Sequence, residues 1–229
     1  LNAYLEEMAE IIHAHGGIVD KYVGDGVVAM FGAPIEEPDH ALQAVKAALA
    51  CQRRLRRSRS LAEILGDRAL HTRIGINTGE MLVGNIGSER KMNYTVMGDA
   101  VNLASRLESV NKLYGTAILV SEATMAACGE AVAFREIDHV RVIGRQAPVR
   151  IFEPLAMQED VTAEHQDLEG RFAQALREFR GRRFDSAAAA FQNLASAVPA
   201  AAAFARRAAQ FAASPPPADW DAVYDLEQK

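Results

Sequence analysis

Only two cysteines, Cys51 and Cys128, occur in the 229 residues, far apart and in helix-like surroundings. This excludes a disulfide framework and a cysteine-based zinc site, and it fits a reducing, cytoplasmic compartment. No uninterrupted apolar run reaches the roughly 18 residues that a membrane-spanning helix requires, and the first residues do not read as a secretory leader. No direct membrane contact is therefore expected of this stretch. A dense basic face is missing as well: the net charge is −5, which argues against a nucleic-acid backbone as partner. The densest basic run, RRLRRSR from Arg53 to Arg59, reads as the solvated end of a helix. His13, His15, His40, His71, His139 and His165 show no metal-binding spacing and read as structural or surface residues. Methionine is missing at the start, where Leu1 stands in mid-helix pattern, so the chain is expected to be a piece of a longer protein.

What is present is ordinary for a globular protein, 49% hydrophobic and 24% charged, with room for one good-sized core and a smaller appendage. Leu1, Leu5, Met8, Ile11 and Ile12 repeat at helical spacing up to His15, where Gly16-Gly17 ends the helix. Strands are expected at 18–22 and 27–31 around a Gly24-Asp25-Gly26 turn, and a long helix from Pro38-Asp39 to about Leu55. HTRIGIN (71–77) alternates, turns at Thr78-Gly79 and returns as MLVGNIG (81–87). Asp99 is a good N-cap for a helix over 100–110. Short strands follow at 117–120, 132–142 and 149–155. This order suggests an α+β sheet with helices on one face.

After Pro154 the chain becomes alanine-rich and reads as helices over 163–180, 184–197 and 200–212. Phe172, Leu176 and Phe179 form one stripe, and Phe184, Ala188, Phe191 and Ala195 another, with a break at Gly181. The result is a helical hairpin of tetratricopeptide-like character. One such unit cannot bury its own face, so it needs the first domain, another chain or the three-proline tail at 215–217 to pack against.

Chemistry concentrates at a few positions. Asp25 offers one carboxylate, and magnesium sites for phosphoryl transfer use one or two carboxylates plus substrate phosphates; taken alone, a hairpin Asp is more often a turn former. Asn102 and Arg106, at i and i+4, project together from their helix and suit a sugar-phosphate, though a solvated helix face shows the same spacing. Lys21 can only donate, so it suits adenine N1 and opposes guanine N1–H. Thr95 can accept from adenine N6, and its hydroxyl can equally donate. GNIGS (84–88) is a weak phosphate-loop candidate, because no helix opens on it.

Three blocks, GGIVDKYVGDGVVAMFGAP, RIGINTGEMLVGNIGS and NYTVMGDAVNLASRLESVNK, together resemble the class III nucleotidyl cyclase catalytic domain over about residues 1–155. The resemblance implies a ferredoxin-like sheet and a head-to-tail homodimer with active sites at its interface. It implies attack of the ribose 3′-hydroxyl of ATP on the α-phosphorus, with Mg2+ or Mn2+ as two bound ions. By motif position Asp25 is a metal ligand, Lys21 and Thr95 read the base, Asn102 orients the ribose and Arg106 stabilises the transition state. Arg145, in VIGRQAP, stands where the family usually has a triphosphate-binding lysine. The Lys-plus-Thr pair resembles the bicarbonate-responsive adenylate cyclases. The family's earlier strand, with its first metal-binding aspartate, is absent from these residues, so the fragment alone is expected to turn over little. The tail, ALREFRGRRFDSAAAAFQNL and PPPADWDAVYDLEQK, resembles extensions of bacterial cyclases with a CHASE-type sensor, which implies a parent protein anchored in the inner membrane. The leading reading is an adenylate cyclase domain (1–155) with a helical extension (156–229). The alternatives are a catalytically silent cyclase-like regulator, a helical scaffold and a guanylate cyclase.

Overall fold

A computed structural model describes residues 1–57, 71–142 and 147–226 of the chain. Helix α1 (Asn2–Ala14) turns Met8, Ile11 and Ile12 inward, as their i, i+3, i+4 spacing dictates. Strands β1 (Ile18–Val23) and β2 (Gly26–Met30) form an antiparallel hairpin. Val23 pairs with Gly26, so the loop is Gly24-Asp25 alone, one residue shorter than expected. Gly24, at φ +64, fills the first position of a two-residue hairpin loop, where a positive φ is needed. Helix α2 (His40–Arg57) buries Ala41, Ala44, Val45, Ala48 and Cys51. Arg53, Arg54, Arg56 and Arg57 are exposed at its end, as the basic run suggested; Ser58 and Arg59 lie outside the described residues.

Strand β3 (Ile74–Ile76) does not return on 81–87 as expected. It pairs in parallel with β6 (Ile118–Ser121). Residues Leu82–Ser88 (β4) pair instead with Lys91–Met97 (β5), in register from Leu82↔Met97 to Ser88↔Lys91. The reason is proximity: residues 89–90 make a two-residue connection, the least costly closure available to β4. Helix α3 (Asp99–Tyr114) follows, and β6 runs directly into a short helix α4 (Glu122–Cys128), which the sequence reading missed. Ser121 caps it by accepting from the Thr124 N–H. Strands β7 (Val132–Arg141) and β8 (Val149–Met157) form a long antiparallel pair. Helices α5 (Ala163–Arg180), α6 (Phe184–Leu194) and α7 (Pro199–Ala213) then lead to a short strand β9 (Tyr224–Asp225).

Among the described residues the strands fall into three hydrogen-bonded sheets rather than one: β1-β2, β4-β5 and a five-stranded sheet in the order β3-β6-β8-β7-β9. Helices cover both faces of the larger sheet, not one. Ile118, Val120 and Phe152 pack with Ala41, Val45 and Ala48 of α2. Their strand neighbours Leu119 and Ile151 point the other way, into a core shared with α3 and the three C-terminal helices. The continuous apolar run Ile118-Leu119-Val120 is the sequence counterpart of a strand buried on both sides.

Candidate active site

Three side chains meet where β1 approaches β5. Lys21 Nζ donates to Thr95 Oγ1 at 2.8 Å, and Thr95 Oγ1 donates to Asp20 Oδ2 at 2.9 Å. The triangle closes with Lys21 Nζ 3.2 Å from Asp20 Oδ2. Lys21 and Thr95, which the sequence reading took together, are hydrogen-bonded to each other, and Asp20 is a partner that it did not single out. Neighbouring residues of a strand normally face opposite ways. Here the pairing steps from Val19↔Ala29 to Lys21↔Val28, so Asp20 sits in a bulge, the device that re-aims a side chain. The Asp20 side chain is 1% exposed, whereas that of Lys21 is 48% exposed.

Downstream of Thr95 the chain passes Gly98, at φ +147, into α3. Asp99, expected as the N-cap, is instead the first helical residue, and Gly98 holds the cap position; an acid there still complements the helix dipole. Asn77 Nδ2 donates to the Ala100 carbonyl at 3.0 Å, tying the end of β3 to the start of α3. Leu103, Leu107 and Val110 form the buried stripe. Asn102 is exposed and Arg106 half-buried, one turn apart. The Arg106 Nη1 is buried without a hydrogen-bond partner among the described residues. An unanswered guanidinium donor is costly unless something anionic completes it.

At its far end α3 is held by Tyr114, whose hydroxyl donates to Asp138 Oδ2 at 2.6 Å; Arg207 Nη2 of α7 donates to the same oxygen at 2.6 Å. Burial, reinforced by the charge of Asp138, pushes the Tyr114 hydroxyl well above its ordinary range, so it stays a donor. Cys51 and Cys128 are free and buried, and burial pushes both thiols up to about 11.

Asp25 stands exposed in the β1–β2 loop, with no hydrogen bond or ion pair to the triad among the described residues. No group of three or more His, Cys, Asp or Glu among the described residues is placed to hold a metal. Asp20 is committed to Thr95 and Lys21, so Asp25 is the free carboxylate of this hairpin. That fits an ion carried mainly by substrate phosphates, which takes only one or two protein carboxylates. Arg145 lies outside the described residues. GNIGS runs along β4 as extended strand. No helix among the described residues is long and apolar enough to cross a membrane.

The profile of the adenylate and guanylate cyclase catalytic domain matches residues 1–152. The chain belongs to that family. Adenylate cyclase 1 of Rhizobium meliloti is 40% identical over 153 residues, covering 67% of this chain and 23% of the relative. The terminal-differentiation adenylate cyclase of Dictyostelium discoideum is 39% identical over 158 residues, 67% of this chain and 7% of its own. This chain thus spans less than a third of these relatives' lengths. The cyclase fold is shared with the guanylyl cyclase Cya2, at TM-score 0.64 and 40% identity over 71% of this chain and 81% of that one. It is shared likewise with the adenylyl cyclase CyaB of P. aeruginosa, at TM-score 0.62 and 35% identity over 70% and 83%. The cyclase match ends before α5, so the C-terminal helices lie beyond it.

Proposed function

We propose that the chain is the catalytic part of an adenylate cyclase, converting ATP to 3′,5′-cyclic AMP and pyrophosphate. The observation that carries this reading is the 2.8 Å bond between Lys21 and Thr95, residues 74 positions apart that form a single polar edge. A lysine there offers adenine N1 a proton, and the hydroxyl offers N6 an acceptor. Asn102 orients the ribose. Arg106, with its unanswered Nη1, takes the charge that develops around the α-phosphorus. Arg145 adds a cation for the triphosphate, on sequence grounds alone. The 3′-oxygen forms a bond to the α-phosphorus as the bond from that phosphorus to the bridging oxygen breaks. Pyrophosphate leaves and the hydroxyl proton passes to solvent.

Asp25 is the residue that would hold divalent metal, Mg2+ or Mn2+ in a two-ion site. When bound, such ions neutralise phosphate charge and make the 3′-hydroxyl more acidic. The working form is a head-to-tail homodimer. Supporting this, Tyr22, Val23, Leu82, Met92, Tyr94 and Met97 are large apolar side chains left exposed on the two hairpins around the site, a pattern that marks interaction surfaces. The catalytic part is assigned to residues 1–155 and a tetratricopeptide-like extension to 156–229.

Guanylate cyclase is the second reading, favoured by the 40% identity to Cya2. The test is steady-state cyclase kinetics of the full-length gene product with ATP and GTP. The unaltered protein is expected to prefer ATP, and Lys21→Glu to move the ratio of kcat/KM values towards GTP by about tenfold or more. A ratio that does not move removes the base-reading role. Nucleotide binding without any cyclic product identifies a silent module.

A further inference from the structure

We infer that Asp20 is a positioning residue that fixes the choice of ATP over GTP by taking the hydroxyl proton of Thr95. The inference rests on the base-reading role proposed for Lys21 and Thr95, and it follows from counting protons in the triangle. Lysine has only donors and a carboxylate only acceptors, so the direction of each bond is determined. Lys21 donates to Thr95 at 2.8 Å, and Thr95 must donate its one proton to Asp20 at 2.9 Å. Lys21 also lies 3.2 Å from the same Asp20 oxygen.

Two of the three ammonium protons are thereby engaged, and one remains for a ligand. On Thr95 the proton is spent and one lone pair accepts from Lys21, which leaves one lone pair. The edge therefore presents one donor beside one acceptor. Adenine answers with its N1 acceptor and N6 donor. Guanine brings an N1 donor and an O6 acceptor, so both contacts fail. Without Asp20 the Thr95 hydroxyl would be free to rotate and donate to guanine O6. The bulge at Asp20 makes this possible, because regular alternation would turn Asp20 and Lys21 to opposite faces of β1. The carboxylate's burial keeps water from replacing it as the proton's acceptor.

The experiment is a double-mutant cycle in the full-length protein, reading the ATP-to-GTP ratio of kcat/KM for the unaltered enzyme, D20N, T95V and D20N/T95V. An asparagine amide can donate to Thr95 and release its proton towards the base. D20N is therefore expected to lower the ratio by about tenfold or more, and D20E, which keeps an acceptor, to recover part of it. In the T95V background D20N is expected to leave the ratio unchanged. Equal loss with both nucleotides, or the same ratio change with and without Thr95, overturns the inference. If T95V alone does not move the ratio, the base-reading role itself fails; if T95V moves it and D20N does not, only the role of Asp20 fails. A second probe needs no variant: 6-methoxypurine riboside triphosphate keeps the N1 acceptor but replaces the N6 donor with an oxygen. The unaltered enzyme is expected to use it at least about tenfold less well than ATP, and equal use overturns the inference.

Discussion

Arg106 has one guanidinium nitrogen buried and unanswered among the described residues, and its spacing from Asn102 puts both on one helix face. A guanidinium held ready in this way stabilises charge that grows during the reaction more than charge already present in the substrate. Arg106→Ala is therefore expected to lower kcat by about 10²–10³-fold with little change in KM. Arg106→Lys should recover little, since the planar fork is lost although the charge is kept. Steady-state kinetics on the full-length protein, beside an unfolding curve showing intact stability, is the check; a KM effect with unchanged kcat would make Arg106 a binding group only. Spacing put Arg106 beside Asn102, and donor and acceptor chemistry put Lys21 with Thr95, but only the resemblance to the cyclase family singled these residues out for a site. Asp20 was not legible. Its adjacency to Lys21 implies opposite faces, and a bulge is a property of the pairing between two strands, which one strand's residues do not display.

Helix α3 owes its position to a single absent methyl group. A Cβ built on Gly75 of β3 would stand 2.1 Å from the Ala104 carbonyl oxygen and 2.3 Å from the Glu108 nitrogen. Both are backbone atoms of the helix and cannot turn aside. Gly75→Ala must lift α3 from β3, and Asn102 and Arg106 move with it. The expected outcome is a loss of about 1–3 kcal/mol of stability or more, with a fall in cyclase rate beyond what the unfolded fraction explains. Chemical denaturation and kinetics on the same preparation check it; normal kinetics with normal stability would show that α3 does not rest on β3. Elements were read unevenly from the sequence. The helices 163–180 and 2–14 carry clean apolar stripes and end at glycines, and they appear almost residue for residue. Strand β5 has period-two alternation of its own, Lys91, Asn93 and Thr95 against Met92, Tyr94 and Val96. It still escaped assignment, and β4 was given to β3 instead. Alternation says that a strand exists, but not which strand it pairs with.

The same limit applies to the whole molecule. The composition break after Pro154 suggested an appended helical unit, and the stripes showed that it could not bury its own face; neither identified what covers it. The partner is the five-stranded sheet: Phe172, Phe179, Phe191 and Phe204 share one core with Leu107, Tyr114, Leu119, Ile137 and Ile151. Arg207 is the charged centre of that junction. Its guanidinium lies 4.4 Å from the ring centroids of Phe204 and Tyr224 and 5.2 Å from that of Phe179, while it pairs with Asp138. Asp138 is 1% exposed, so removing its cation leaves a buried carboxylate hydrogen-bonded, among the described residues, by Tyr114 and a backbone N–H. Arg207→Ala is expected to cost about 3–5 kcal/mol, the range for breaking a buried ion pair from one side. The chain's single tryptophan, Trp220, packs edge-on against Phe179 and Phe211 and reports on the helical end, while far-UV circular dichroism reports on the whole. Because the core is shared, both signals should change in one transition on denaturation, and R207A should shift both by the same amount. Tryptophan fluorescence that melts well before the dichroism, with the later transition untouched by R207A, would mean that the C-terminal helices are a separable unit and that Arg207 does not brace α3.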